Sequence, residues 1–277
     1  MDTGVKNIPK KYYSDKLDLD HISNLSLFLY DQDLVIMAKN ANDTVIAVHE
    51  YFFKDSTDFL KFLSEDTLLN ASNTQGKLFV FNDAFNLVPG VLFDPMQKST
   101  YLNFNTDLDP DTQEVFYDGV DSNNIQVVGS VDKTLLKLLD EILPDMEVYH
   151  GALPVLDFLL RQRQDMVDQT IWIMVHQSHV FLASFKNHEL VLFNRFPVRD
   201  NKELLKYLFI AIQQLDFDRL HCRINVIGPL EQIGADIDHL RDYFKNLHFP
   251  NPTSNQNYLP GVIEFQESKR FEAYWTI

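Results

Sequence analysis

Glycine and cysteine are both scarce in this sequence, and each shortage excludes a class of function. Only 9 glycines occur in 277 residues, with no GxGxxG and no GxxxxGK[ST] run, so the glycine-rich loops that let backbone N–H groups close around a phosphate in Rossmann and P-loop proteins are missing. The single cysteine, Cys222, cannot form an intramolecular disulfide. It lies in an apolar-flanked run of strand character, the setting of a small buried core residue. Positive charge is short as well: 24 Lys and Arg face 40 Asp and Glu, a formal net charge of −16. Such a surface repels phosphate backbones and anionic headgroups, so neither nucleic acid nor a membrane surface is an expected partner. No run approaches the ~18 apolar residues of a spanning helix, which argues against membrane insertion. The opening MDTGVKNIPKKYYSDKLDLDH has neither the apolar core nor the small-residue cleavage site of a secretory signal. A soluble, cytoplasmic protein is the expectation.

What is present is an ordinary globular composition, 45% hydrophobic and 23% charged, long enough at about 150 residues per domain for two domains. Aromatics reach 13%, with 22 phenylalanines, which suits a strand-rich core.

The sequence repeats itself. Leu25 to Tyr30 and, about 145 residues later, Ile171 to His176 are short apolar runs bounded by polar turns. Asp31-Gln32 and Gln177-Ser178 follow as tight turns, then Leu34 to Met37 matches Val180 to Ala183, and Val45 to Tyr51 matches Leu190 to Phe196. Asn42-Asp43 and Asn187-His188 supply the turns before these third strands. Asp58 to Leu63 aligns without a gap to Glu203 to Leu208, with Asp55 and Asp200 upstream where an N-cap belongs. Leu78 to Phe81 and Ile224 to Ile227 complete the pattern of strand, strand, strand, helix, strand. A strand after the helix can rejoin its sheet only by a crossover. The fold class that follows is a duplicated α/β protein of two lobes, each a mixed sheet of three antiparallel strands plus crossover strands, flanked by helices.

Between the repeats, Gln113 to Phe116 and Ile125 to Val128 read as strands, Asp132 to Ile142 as a helix stopped by Pro144, Met146 to Tyr149 as a strand and Val155 to Arg163 as a helix. Ala235 to Phe244 reads as a helix and Phe249 to Asn255 as a polar, proline-bearing loop. The domain division expected is an N-terminal arm over 1–24, a first lobe over 25–168 and a second over 169–277.

A duplicated unit of this order resembles the actin-like ATPase superfamily, whose lobes are ribonuclease H-like, and in particular its pilus-assembly and cell-division branch. Ile125 to Ser130, Asp132 to Leu143, Met146 to Tyr149 and Ala152 to Leu160 look like the run that closes the first lobe there. More narrowly, the stretch Phe79 to Asp94, with Phe85-Asn86-Leu87-Val88-Pro89 at its centre, is similar to the signature of a Bacteroidetes family, domain of unknown function 3822. Phe185 to Leu190 and Asn194-Arg195-Phe196 look like that family's second-lobe hairpin. The resemblance implies an actin-like fold and no particular activity.

In active members of the superfamily the first turn of each lobe is of Asp-x-Gly type, and its glycines admit the phosphates. Here the turns read Tyr30-Asp31-Gln32-Asp33-Leu34 and His176-Gln177-Ser178-His179, without glycine, and Asp31 and Asp33 would repel a triphosphate. The Gly-Gly pair beside the nucleoside is reduced to Gly228 followed by Pro229, which removes a donor. The expectation is therefore a pseudo-ATPase without cofactor or metal that binds protein partners or takes part in an assembly. The alternative is a nucleotide-binding switch or weak Mg²⁺-dependent ATPase using Asp31, Gln32, Asp33, Gln177, Ser178 and Gly228 around an interlobe cleft. His176 and His179 lack the further ligands of a zinc site, and Ser178 lacks a nucleophile elbow. The segment Phe85 to Pro89 is either a buried connection or a recognition loop.

Overall fold

Two short polar turns in each half, at Asp31-Gln32 and Asn42-Asp43 in the first and at Gln177-Ser178 and Asn187-His188 in the second, set the strand pairing. The computed structural model describes residues 9–70 and 75–277. The first eight residues of the expected N-terminal arm, including Val5, lie outside the described residues. The chain forms β1 (Lys10–Tyr13), β2 (Ile22–Leu29), β3 (Asp33–Asn40), β4 (Thr44–Phe52), helix α1 (Ser56–Glu65), β5 (Gln75–Val80), β6 (Phe85–Pro89), helix α2 (Lys98–Leu102), β7 (Gln113–Val120), β8 (Ile125–Asp132), helix α3 (Lys133–Ile142), β9 (Glu147–His150) and helix α4 (Ala152–Gln162). It continues through β10 (Gln169–His176), β11 (His179–Lys186), β12 (Glu189–Pro197), helix α5 (Asn201–Gln214), β13 (Arg223–Ile227), helix α6 (Ile237–Tyr243), β14 (Leu247–His248) and β15 (Asn257–Tyr258).

Two sheets repeat one topology. The first runs β1-β4-β3-β2-β5-β9, and the second β12-β11-β10-β13-β14. In the first, β2, β3 and β4 pair antiparallel while β5 joins β2, and β9 joins β5, in parallel. In the second, β10, β11 and β12 pair antiparallel while β13 joins β10, and β14 joins β13, in parallel. The duplication read from the sequence is thus a duplication of hydrogen-bond pattern.

Local chemistry accounts for the elements. Asp55 caps α1 by accepting from Thr57 and Asp58 N–H, Asp132 caps α3 through Leu135 N–H, and Asp200 caps α5 through Glu203 N–H. Asn187 and His188 both take left-handed φ values, 51° and 67°, the pair that a two-residue hairpin between twisted strands requires. One face of each sheet is closed by its helices. Leu25, Leu27 and Ile36 pack against Phe59 and Leu63 of α1 and Leu139 of α3; Ile171, Ile173 and Leu182 pack against Leu204 and Leu208 of α5 and Leu240 of α6. Phe59 and Leu63 stand where Leu204 and Leu208 stand in the second copy.

Three elements depart from expectation. Phe85 to Pro89 is neither a buried connection nor a loop but β6, the edge strand of a separate sheet ordered β6-β8-β7. An edge tolerates Pro89, which has no N–H to donate. Part of the expected arm, Lys10 to Tyr13, is β1 and pairs antiparallel with β4. The C-terminal stretch returns: β15 pairs in parallel with β4, Asn257 beside Thr44 and Tyr258 beside Val45. Gly261 makes that return possible, since at φ 86° a Cβ there would stand 2.4 Å from the Tyr13 carbonyl oxygen.

The contacts divide the chain into one unit of Met1–Asp157 with Gln256–Phe265 and another of Phe158–Asn255 with Gln266–Ile277. The division falls inside α4 rather than near Asp168, because Phe158 already packs edge-on against Trp172 and Phe271. Among the described residues no helix is long and apolar enough to cross a membrane.

Candidate functional site

The sequence assigns the first half of a site to Asp31, Gln32 and Asp33. Asp31 and Gln32 form the exposed two-residue turn between β2 and β3, closed by a 2.8 Å hydrogen bond from Tyr30 N–H to the Asp33 carbonyl. Asp33 opens β3 and is only 9% exposed. The two carboxylates therefore occupy different environments. The Gln32 carbonyl accepts Phe53 N–H at 2.9 Å, which ties the turn to the end of β4.

Asp31 and Gln32 line one end of a groove of about 590 Å³, together with Lys54, Asp55 and Asp132; its apolar wall includes Phe59, Leu60, Leu135 and Leu138. A second recess of about 390 Å³ continues from it, sharing Leu60 and Leu138 and reaching Leu63 and Ile142. The groove lies between α1 and α3. Asp33 is not part of its lining.

The second half of the proposed site is Gln177, Ser178 and Gly228. Gln177 carries the turn between β10 and β11 at φ 54°, a conformation that glycine adopts at no cost. Its N–H donates to the Gln232 side-chain oxygen at 3.0 Å, and the Ser178 carbonyl accepts Val198 N–H at 2.7 Å. Gly228 follows β13 with φ 102°, and a Cβ there would come within 2.8 Å of the Val175 carbonyl oxygen. These three residues gather at the ends of the neighbouring strands β10 and β13.

Beside that turn lies a buried charged cluster. His176 is 4% exposed and Glu272 1% exposed. Burial, with the positive charges of Arg195, Arg270 and His179, pushes the His176 ring down to about 3, so it is neutral. Its Nδ1 stands 4.0 Å from the Glu272 carboxylate. With the ring uncharged, this is not an ion pair, and the charge of Glu272 is met instead by Arg270 at 3.6 Å.

A second buried polar group lies in the first unit. Asp66, just past α1, accepts from His49 and Tyr51 of β4. Burial alone would raise the Asp66 carboxyl, but the hydrogen bond and charge of His49, the Tyr51 hydroxyl and Leu68 N–H together hold it below the usual value. The same burial and the neighbouring carboxylate raise the Tyr51 phenol.

Sequence reasoning placed Arg195 in a strand of the repeat but gave it no part in a site, and it missed Arg270 and Glu272, near the C-terminus, and Asp66. The one available signal was the i, i+2 spacing of His49 and Tyr51, which places both on one face of a strand. Among the described residues no three His, Cys, Asp or Glu side chains converge as a metal cluster.

A family profile described as "Protein of unknown function (DUF3822)" matches residues 14–247. No curated protein matches the sequence. A solved Bacteroides thetaiotaomicron VPI-5482 protein, described as having an actin-like ATPase fold and unknown function, is 18% identical, covers 86% of this chain and 95% of its own, and superposes with a TM-score of 0.75. The PilM-PilN type IV pilus biogenesis complex is similar at 11% identity over 90% of this chain and 94% of that one, with a TM-score of 0.55. Together with the repeated sheet order, these likenesses establish the actin-like fold, and the profile establishes that the chain belongs to the DUF3822 family of proteins of unknown function.

Proposed function

We propose that this protein is a catalytically silent member of the actin-like fold that works as a protein-binding or assembly module. The observation that carries the reading is at the second turn, where the Gln177 N–H donates to the Gln232 side chain. A turn that cradles a phosphate needs such N–H groups directed at the ligand. In the first unit the corresponding turn places the Asp31 carboxylate at the surface, where it would repel a phosphate. A neighbour of the same fold, PilM, is described in a complex with PilN, which is in keeping with a scaffold that engages another protein.

The test is a thermal shift with millimolar ATP, ADP and GTP, each with and without Mg²⁺, on the wild type and on Asp31→Ala. A ligand that binds only the folded state raises apparent stability. No shift is expected with any nucleotide. A Mg²⁺-dependent rise that disappears in Asp31→Ala would overturn the reading in favour of a nucleotide switch.

A further inference from the structure

We propose that the groove between α1 and α3 receives an amphipathic helix from a partner protein, apolar along one face and carrying lysine or arginine at one end. This names the partner chemistry of the binding-module reading and rests on it.

The walls of the groove are two helical stripes. On α1, Phe59, Leu60 and Leu63 recur at i, i+1 and i+4 and face Leu135, Leu138 and Ile142 of α3, which recur at i, i+3 and i+7. Asp55 and Asp132, the N-caps of the two helices, both line the first recess. Leu63 and Ile142, from the far ends of the same helices, both line the second. The groove therefore follows both helices for ten residues each, about 15 Å at 1.5 Å per residue. Leu60 belongs to both recesses and is 41% exposed. A trough of that length between two helices fits two to three turns of a third, its side chains seated between the ridges. An extended peptide has no comparable reason to bind, because strand addition needs an unpaired sheet edge and these walls present side chains.

Charge fixes the occupant's polarity. At the end formed by the first turn, the lining carries the exposed carboxylates of Asp55 and Asp132, with Asp31 beside them, and one ammonium, Lys54. At the other end Lys61 and Glu141 offset each other. The whole chain carries −16, so a basic end at the Asp31 side gains from the local carboxylates and from the long-range field. The same charge opposes docking of a second copy of this acidic chain.

The experiment is selection of a displayed library of helix-forming peptides of ~14 residues, about four turns, on the full chain. Enriched peptides are then synthesised and titrated by fluorescence anisotropy against the wild type, Leu60→Asp, Leu60→Met and Asp31→Lys. Leu60 is exposed enough for these variants to fold, which a thermal melt verifies. The expected result is enrichment of sequences with apolar residues at i, i+3, i+4 and i+7 and a basic end. Their affinity should fall about tenfold or more in Leu60→Asp, worth ~1.4 kcal/mol, fall severalfold in Asp31→Lys and persist in Leu60→Met. Three results overturn the proposal: no enrichment, enrichment of acidic or non-periodic peptides, or binding that ignores Leu60→Asp. The last would leave the binding-module reading intact on another surface, whereas that reading itself fails by the nucleotide shift. Sedimentation of the free chain adds one more overturning outcome, a self-association lost in Leu60→Asp, which would make the occupant a second copy.

Discussion

The Tyr51 hydroxyl donates a 2.5 Å hydrogen bond to the Asp66 carboxylate, with Asp66 entirely removed from solvent. The same oxygen stands 2.5 Å from His49 Nδ1, and the other oxygen accepts Leu68 N–H at 2.7 Å and Leu69 N–H at 3.2 Å. One carboxylate thus fastens the chain leaving α1 to the strand β4 beneath it.

Removing that carboxylate strands several donors at once. Asp66→Ala should cost about 3–5 kcal/mol in urea unfolding, the range for breaking a buried charged pair, whereas Tyr51→Phe, which removes one donor, should cost about 1–2 kcal/mol. The folded carboxyl lies below its unfolded value of about 3.9, so its contribution is fully present above that pH and is lost as pH falls through the folded value. Asp66→Asn should therefore flatten stability against pH only below about pH 4. Equal destabilisation by Tyr51→Phe and Asp66→Ala would show that the carboxylate is not the organising group.

His176 acts in a different pH window. Its folded value is near 3, below the ~6.5 of an unfolded histidine, so between these values only the unfolded chain takes up the proton. Stability should rise with pH from about 3 to 6.5 by up to ~1.4 kcal/mol per unit from this residue and be full above 6.5. His176→Phe, placed among the rings of Phe181 and Phe271, should remove that slope. Urea melts from about pH 4 to 7 on the two proteins decide it; identical slopes would mean that His176 is protonated in the fold.

What the sequence disclosed and what it hid have physical causes. The central duplicated strands were legible because their side chains are buried on both faces: Leu34 to Ala38 of β3 and Val180 to Phe185 of β11 are all buried, and such strands read as unbroken apolar runs. The aspartate caps were legible because capping is local chemistry between residues two or three apart. β6 was not, since its inward residues Phe85 and Val88 break the alternation and Pro89 resembles a turn. The pairing of β15 with β4 spans more than two hundred residues of chain and leaves no local mark. For the site, the turn residues were found by position in the repeat, but the Gln177 to Gln232 hydrogen bond and the α1 to α3 groove arise only when distant segments meet.

Cys222 offers a probe of native opening. It is 1% exposed, and burial together with the Asp218 charge pushes its thiol up to about 11. The thiolate is the reacting species, so the native protein should resist iodoacetamide at neutral pH and release a single reactive thiol on unfolding in urea. Rapid native labelling would place Cys222 outside the core.

Gly228 separates a structural requirement from a nucleotide site. Its φ of 102° and the mere 2.8 Å that would separate a Cβ from the Val175 carbonyl oxygen both penalise any side chain, and a residue forced into such a backbone region costs about 1–3 kcal/mol. Gly228→Ala should lose roughly that much in thermal or urea unfolding. If the glycine serves only to let the chain pass β10, the loss will be the same with and without millimolar Mg²⁺-ATP, because no ligand distinguishes the two proteins. A wild type stabilised by the nucleotide and an alanine variant that is not would mean that the space beside Val175 is kept for a ligand, and the glycine would then be the surviving element of a working site.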